Sequence, residues 1–202
     1  MITVISIVIL IFSIIIHEVS HGFMADWLGD PTARLQGRLT LNPIKHIDPV
    51  GSIIVPLITS MAGFTFGWAK PVEFNPYNLR NRRQGEFLIA MAGPLSNLLI
   101  ALIFGTIIRF TVASASVMTP FLEVCSYIVI INIVLAIFNL VPLPPLDGSK
   151  LLLAWLPNQY GQFRTMLERY APIFVIIVIF FLWDFVSPVI PWVFRLITGV
   201  SV

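Results

Sequence analysis

Long apolar stretches dominate the pattern of hydrophobic and polar positions along this chain. Residues 3–28 form the first, which has no charged side chain before position 17 and ends near a Gly-Asp-Pro stop signal at 29–31. Further apolar stretches cover 86–110, 119–140 and 171–197, the last interrupted by Pro188 and Pro191. Since roughly 20 apolar residues are enough to span a bilayer as a helix, these stretches predict membrane spans.

Two other segments are less regular. Residues 51–66 are apolar but short for a span and contain Pro56 and Gly63, which favours a re-entrant segment. Residues 34–41 alternate between polar and apolar side chains, which predicts a small strand or hairpin after the first helix. The expected fold is therefore an all-α, polytopic helical membrane bundle with about five to six membrane segments. We expect residues 1–202 to form one membrane-embedded domain.

Composition agrees with a membrane protein. Hydrophobic residues make up 57% of the 202 positions and charged residues only 11%, whereas a soluble domain has about 25% charged residues. The formal net charge is only +2, and the cations cluster in short loops, so nothing here favours nucleic-acid binding. The single cysteine, Cys125, cannot form a disulfide within the chain.

The cations also predict an orientation. One group follows the first apolar stretch and another precedes the stretch that begins near residue 86; the two groups comprise Arg34, Arg38, Lys45, Lys70, Arg80, Arg82 and Arg83. Loops rich in Lys and Arg remain on the cytoplasmic side. We therefore expect the first helix to run from outside to inside, in the cell membrane and most simply a bacterial inner membrane.

A metal-binding motif lies near the end of that first helix. His17 and His21 are four residues apart, so a helix presents both imidazoles on one face, where they can hold one metal ion. Glu18 lies beside them and can act as the general base of a hydrolysis reaction. Ionisable residues in a membrane span are costly and therefore indicate function.

A catalytic zinc site usually has three protein ligands, so one more is needed. The soluble-protease continuation would place Gly at 24 and His at 27, where the chain has Met24 and Trp27. Asp147 is the best candidate, because it follows a span that returns to the depth of the histidine pair. The other candidates are glutamates, namely Glu73, Glu86, Glu123 and Glu168.

These motifs together resemble the site-2 protease family of intramembrane zinc metalloproteases. The resemblance rests on residues 17–21 (HEVSH), 93–97 (GPLSN) and 139–148 (NLVPLPPLDG), in the family's order. Residues 42–49 and 67–72 also resemble the short bacterial branch that lacks PDZ and CBS domains.

The resemblance implies one zinc ion held by His17, His21 and Asp147, with Glu18 as general base and an active-site amide at Asn97. It also implies an endopeptidase that cuts within or near transmembrane segments, whose partners are the lipid bilayer and membrane proteins with a helix that can unwind. The oligomeric state stays open.

Alternatives also stay open. The same ligands would suit a zinc transporter or sensor, or a catalytically silent relative that only binds membrane proteins. Asn97 can instead make an interhelical hydrogen bond, and Asp147 can simply be the first residue of an Asp-Gly turn. His46, the third histidine, is expected to be a solvated loop residue, with an accessory metal ligand as the alternative.

Overall fold

The computed structural model describes residues 2–61, 69–115, 119–155, 165–167, 169–171 and 187–200, and this part of the chain is helical. The α-helices are α1 (Ile2–Trp27), α2 (Thr32–Leu35), α3 (Val55–Met61), α4 (Arg82–Ala115), α5 (Pro120–Leu140), α6 (Asp147–Trp155) and α7 (Val189–Thr198). Short 3-10 turns lie at Pro43–His46 and Pro76–Asn78, and a π-helical turn at Val50–Ile54 precedes α3.

Among the described residues, three helices are long and apolar enough to cross a membrane, and the chain is a membrane protein. They cover Val4–Trp27, Arg82–Val112 and Pro120–Leu140, with mean hydropathies of 2.1, 2.2 and 2.4. The spans predicted at 3–28, 86–110 and 119–140 are thereby confirmed in position. The middle one starts earlier and ends later than expected, since α4 continues at both ends into less apolar sequence.

The remaining predicted segments are only partly covered. The last apolar stretch falls mainly on residues 172–186, outside the described residues, and α7 contains its end. The first half of 51–66 is helical, whereas 62–68 also lies outside the described residues. The count of five to six segments and the re-entrant path therefore stay predictions.

The strand expected at residues 34–41 is absent. The chain forms the single helical turn α2, closed by backbone hydrogen bonds such as that from Leu35 N–H to the Pro31 carbonyl. Gly37 then turns the backbone with a φ of 64°. An alternating pattern forms a strand only where a neighbouring strand can pair with it, and none exists among the described residues.

Helix α4 lies at the centre of the described bundle and packs against α1, α5, α6 and α7. Its C-terminal half forms an apolar core with α5 and α7, which contains Ile108, Val129, Ile133 and Phe194. Helix α5 begins sharply because the Thr119 hydroxyl accepts a hydrogen bond from Leu122 N–H and Pro120 occupies the first helical position. The contacts of α4 with α1 and α6 place the C-terminal part of α1 and the N-terminal part of α4 next to the start of α6.

Candidate metal centre

Three side chains from two distant parts of the chain converge at one buried point. His17 and His21 come from α1, and Asp147 is the first residue of α6. Asp147 Oδ2 lies 3.0 Å from His17 Nε2 and 3.1 Å from His21 Nε2, and the two Nε2 atoms are 3.1 Å apart. Each of the three residues is at most 6% exposed. They form the only cluster of three metal-ligating side chains among the described residues.

The other nitrogen of each imidazole is held by an acceptor. His17 Nδ1 lies 2.6 Å from Asn97 Oδ1, and His21 Nδ1 lies 2.6 Å from the Ile89 carbonyl oxygen. A carbonyl oxygen can only accept, so each Nδ1 carries the proton and donates it. In the neutral imidazole each Nε2 is then a lone pair that faces Asp147, which is the tautomer a metal ligand needs.

This donor set fits a zinc ion. Two Nε2 lone pairs and a carboxylate oxygen, all within 3.1 Å of one another, repel unless a cation lies between them. Tetrahedral zinc with bonds of about 2.0–2.1 Å would separate its ligands by about 3.3 Å, close to the distances found here. Two imidazoles and one carboxylate also leave a coordination position free for water or substrate, as in catalytic zinc sites.

Gly93 provides the space that the histidine pair occupies. A Cβ atom at this position would lie 2.5 Å from His17 Nε2 and would also overlap His21 Nε2. The next residue, Pro94, lies inside α4 and removes one backbone hydrogen bond from the same turn. The Gly-Pro pair therefore lets α1 and α4 approach closely at the metal centre, which is a packing requirement and not only a kink.

Asp147 is positioned by a tight connection between α5 and α6. A Cβ atom on the following Gly148 would overlap the carbonyl oxygens of Leu140 and Val141, so the two backbones are in direct contact. Asp147 Oδ1, the oxygen that faces away from the histidines, accepts a hydrogen bond of 3.0 Å from Lys150 Nζ. Lys150 thus holds Oδ1, which leaves Oδ2 facing the histidine pair. The turn reading of the Asp-Gly pair is compatible with its place in the cluster.

Glu18 is half-buried next to the histidine pair on α1. Its Oε2 accepts a hydrogen bond of 2.9 Å from the backbone N–H of Val72. Val72 belongs to an extended segment at 69–75, and Lys70 N–H in that segment donates to the His46 carbonyl. A carboxylate held in this way by the backbone keeps a defined position beside the cluster.

Asn97 does not direct its amide hydrogens toward a substrate position. It is fully buried; its Nδ2 donates to Asn132 Oδ1 at 2.8 Å and to the Ser13 carbonyl at 3.4 Å, while its Oδ1 accepts from His17. In turn, Asn132 Nδ2 donates to Ser13 Oγ and to the Ile128 carbonyl. This chain of contacts corresponds to the interhelical alternative considered for Asn97.

The other candidate ligands lie elsewhere. Glu73 is exposed and accepts from Gln36, Glu86 pairs with Arg82 at 2.9 Å, and Glu123 is exposed in the first turn of α5. Glu168 lies outside the described residues. Among the described carboxylates, Asp147 is therefore the one that joins the histidine pair.

His46 is buried, in contrast to the solvated loop residue expected from the sequence. It is 2% exposed, its Nε2 donates to the Thr40 carbonyl at 2.8 Å, and its Nδ1 has no partner among the described residues. Polar sequence around a histidine does not reveal that the loop folds back over it. His46 is also not part of the metal cluster.

Sequence reasoning missed the groups that support the ligands, namely Ser13, Ile89, Asn132, Lys150 and the Val72 N–H. Ser13 and Asn132 could have been identified from the sequence, because polar side chains in apolar spans must find hydrogen-bond partners inside the bundle. Ile89 and Val72 act through backbone atoms, which leave no trace in the identity of a residue.

Comparison with known proteins now places the chain in a family. The sequence profile of Peptidase family M50 matches residues 5–183. This chain belongs to that family. The site-2 protease resemblance seen in the motifs is thereby confirmed.

Three relatives agree with this assignment. YwhC of Bacillus subtilis (strain 168), named as a candidate zinc metalloprotease, is 37% identical over 180 residues, which cover 87% of this chain and 78% of YwhC. Rip2 of Mycolicibacterium smegmatis (strain ATCC 700084 / mc(2)155), named in the same way, is 30% identical over 141 residues, or 68% of this chain and 52% of Rip2. Zinc metalloprotease MJ0392 of Methanocaldococcus jannaschii is 24% identical over 158 residues, or 78% of this chain and 36% of MJ0392. No solved structure is significantly similar to the chain.

Family and geometry together support a metalloprotease role with zinc as the cofactor. The names of the relatives specify zinc, and the described part of this chain contains a buried cluster of two histidines and an aspartate. The cofactor expected from the sequence is confirmed on these two grounds.

Proposed function

We propose that this protein is an intramembrane zinc endopeptidase, which hydrolyses peptide bonds within or near the transmembrane segments of other membrane proteins. The observation that carries the proposal is the location of the metal cluster. His17 and His21 lie within the candidate span Val4–Trp27, and the carboxylate of Asp147 joins them from the start of α6, shortly after the span α5 ends. A soluble substrate would have no access to such a depth unless its peptide entered the bilayer.

In this proposal His17, His21 and Asp147 hold one zinc ion. When bound, zinc supplies an activated water molecule at neutral pH and polarises the carbonyl that is attacked. Glu18 takes the proton of the attacking water and delivers it to the leaving amine, as a general base and then a general acid. The Val72 N–H keeps the Glu18 carboxylate in place for both transfers.

Asn97 has a positioning role here. Its Oδ1 orients the His17 ring and fixes the proton on Nδ1, so that Nε2 remains a ligand. The amide role at a developing oxyanion, which the family resemblance implied, would require Nδ2 to leave Asn132 and Ser13.

The substrate must present an extended backbone, because a membrane helix has every peptide group paired internally. We therefore propose that the partners are membrane proteins whose helices contain weak positions such as Gly or Pro, since these cost about 1–3 kcal/mol of helix stability each. The cation-rich loops support a cell-membrane location, with the active site nearer the cytoplasmic side. The full count of five to six membrane segments is part of this proposal.

The test compares wild type, Glu18→Gln and the control Glu73→Gln on a panel of detergent-solubilised single-span substrates, with zinc content measured for each. Glu73 is an exposed carboxylate that accepts a hydrogen bond from Gln36, so the Glu73→Gln variant should cleave substrates as the wild type does. We expect Glu18→Gln to keep one zinc per chain and to lose cleavage by about 10²–10⁴-fold. If every form binds zinc and none cleaves any substrate, the protease function is wrong. Metal flux into liposomes would then distinguish a transporter from a silent binding protein.

A further inference from the structure

A cavity of about 360 Å³ lies beside the N-terminal part of α4 and α6. Most of its wall is apolar, and the side chains that form it include Phe74, Pro144, Pro145 and Leu153. Cavities that bind small ligands measure about 300–1,000 Å³, so this one is at the low end of that range. It has room for one large side chain and its backbone, and not for a cofactor in addition.

Three of the residues that line the cavity belong to elements that also hold the metal centre. Lys150 lines it and donates to Asp147 Oδ1 at 3.0 Å. Phe74 lines it from the extended segment whose Val72 N–H holds Glu18. Glu86 lines it from α4, one helical turn before the Ile89 carbonyl that holds His21. The elements that fix the two candidate ligands His21 and Asp147 and the proposed base are therefore also walls of the cavity.

The charges at the cavity are already paired. Lys150 bonds to Asp147, and the Glu86 carboxylate, in a residue 7% exposed, accepts from Arg82 Nε at 2.9 Å. Among the described lining residues, each ionisable side chain thus has a partner of opposite charge. An apolar occupant would leave these pairs intact, whereas a charged occupant would have to break one.

We propose that this cavity is a substrate subsite, which binds an apolar side chain from a residue next to the scissile bond. The inference rests on the proposed protease function and names the substrate chemistry of the same site. Transmembrane segments consist mainly of apolar residues, so a suitable side chain is always near the bond to be cut. Burial of that side chain would hold the unwound backbone in register with Glu18 and the metal ligands.

Leu153 allows a direct test of the subsite. It is 8% exposed and lines the cavity, whereas its neighbour Leu152 is 51% exposed and points away. A cleaved single-span substrate would first have its scissile bond mapped by mass spectrometry. Each flanking residue would then be changed in turn to Ala, Leu, Phe and Trp, and kcat/KM measured for every form.

At one flanking position we expect the kcat/KM of wild type to be about 10-fold or more higher for Leu or Phe than for Ala. A single methylene group in an apolar pocket changes kcat/KM by about 10–200-fold. Leu153→Phe narrows the cavity and should move the preference toward Ala. Leu153→Ala widens it and should move the preference toward Trp. Leu152→Phe and Leu152→Ala should keep the wild-type profile.

Zinc content and melting temperature would be measured for every variant. If Leu153→Phe does not fold, Leu153→Ala and Ala171→Leu, which narrows the cavity from another wall, carry the same test. An unchanged size preference at every flanking position, with cleavage and zinc intact, would overturn the subsite and leave the protease function standing. If wild type and Glu18→Gln cleave the same substrates equally, the protease function is wrong, and the subsite proposal is wrong with it.

Discussion

His17 Nδ1 lies 2.6 Å from Asn97 Oδ1, which joins the first membrane helix to the middle of α4 across 80 positions of sequence. Asn97 is itself bonded to Asn132 on α5 and to Ser13 on α1. The orientation of one candidate metal ligand therefore depends on contacts among three membrane helices. We therefore expect the amide network to contribute to metal affinity as well as to bundle packing.

Removal of the Asn97 acceptor should weaken zinc binding. Asn97→Leu leaves His17 Nδ1 without its partner, and loss of such a support typically costs 10–100-fold in metal affinity. Asn97→Asp restores an acceptor and should recover most of the affinity. Competition with a chromophoric chelator would give the zinc Kd of each form, with Ser96→Ala as the control on the same helix. Loss of cleavage at unchanged zinc Kd would instead favour a direct substrate contact by Asn97.

A side chain at position 93 should displace the histidine pair. In Gly93→Ala the new methyl group overlaps both imidazoles, so we expect zinc content well below one per chain. Gly85→Ala is the matched control, because the nearest atoms to its methyl group belong to the Leu79 side chain, the closest being the terminal Cδ1 at 2.9 Å. Metal analysis of the purified proteins decides the outcome, and full zinc occupancy in Gly93→Ala would contradict the close approach of α1 and α4 described here.

Lys150 should support Asp147 through its charge. Lys150→Met removes the bond to Oδ1, and we expect a loss of about tenfold or more in zinc affinity. Lys150→Arg keeps a cationic donor and should retain most of the affinity. The same chelator competition applies, and equal Kd values for wild type and Lys150→Met would show that the lysine has no part in holding the ligand.

Asp30 should make stability depend on pH. It is fully buried, and although burial alone raises the pKa of a carboxyl group, hydrogen bonds from Thr32, Asn78 and Asn75 hold the pKa of Asp30 below its usual 3.8. A carboxyl group with a lowered pKa in the folded state stabilises the fold above its unfolded pKa, and this contribution is lost as the pH falls through the folded value. Asp30→Asn should therefore cost about 1–3 kcal/mol near neutral pH.

Melting temperatures in one detergent, measured from pH 7 down to pH 3, would test this expectation. The difference between wild type and Asp30→Asn should shrink once the pH falls below about 4. Asp26→Asn is the control, since Asp26 pairs with a mostly exposed Arg34, and such pairs contribute about 0–1 kcal/mol. A difference that stays constant over the whole range would rule out the ionised carboxylate as its source.

The sequence predicted well those features that depend on long patterns. The three spans follow from apolar length alone, and the pairing of His17 with His21 follows from helical spacing. The approach of Asp147 to the two histidines was predicted from the number of spans between them. A chain that crosses the membrane twice more returns to the same depth.

Features that depend on local tertiary contact were less accessible. The alternation at 34–41 looks the same whether a partner strand exists or not, and the chain forms the turn α2 instead. His46 has polar neighbours in sequence, yet it is buried by the fold of its own loop. Asn97 was identified as important, but a residue type does not indicate where its two hydrogens point.

The distance along the chain between the proposed ligands has a consequence for biosynthesis. The ribosome synthesises both histidines as part of α1, whereas Asp147 is synthesised 126 residues after His21. Until Asp147 has been synthesised, the third proposed ligand of the zinc ion is missing, so the nascent helix α1 lacks the complete ligand set. We therefore expect metal capture to follow insertion of the later helices, so that the ion links α1 to a part of the protein that is synthesised much later.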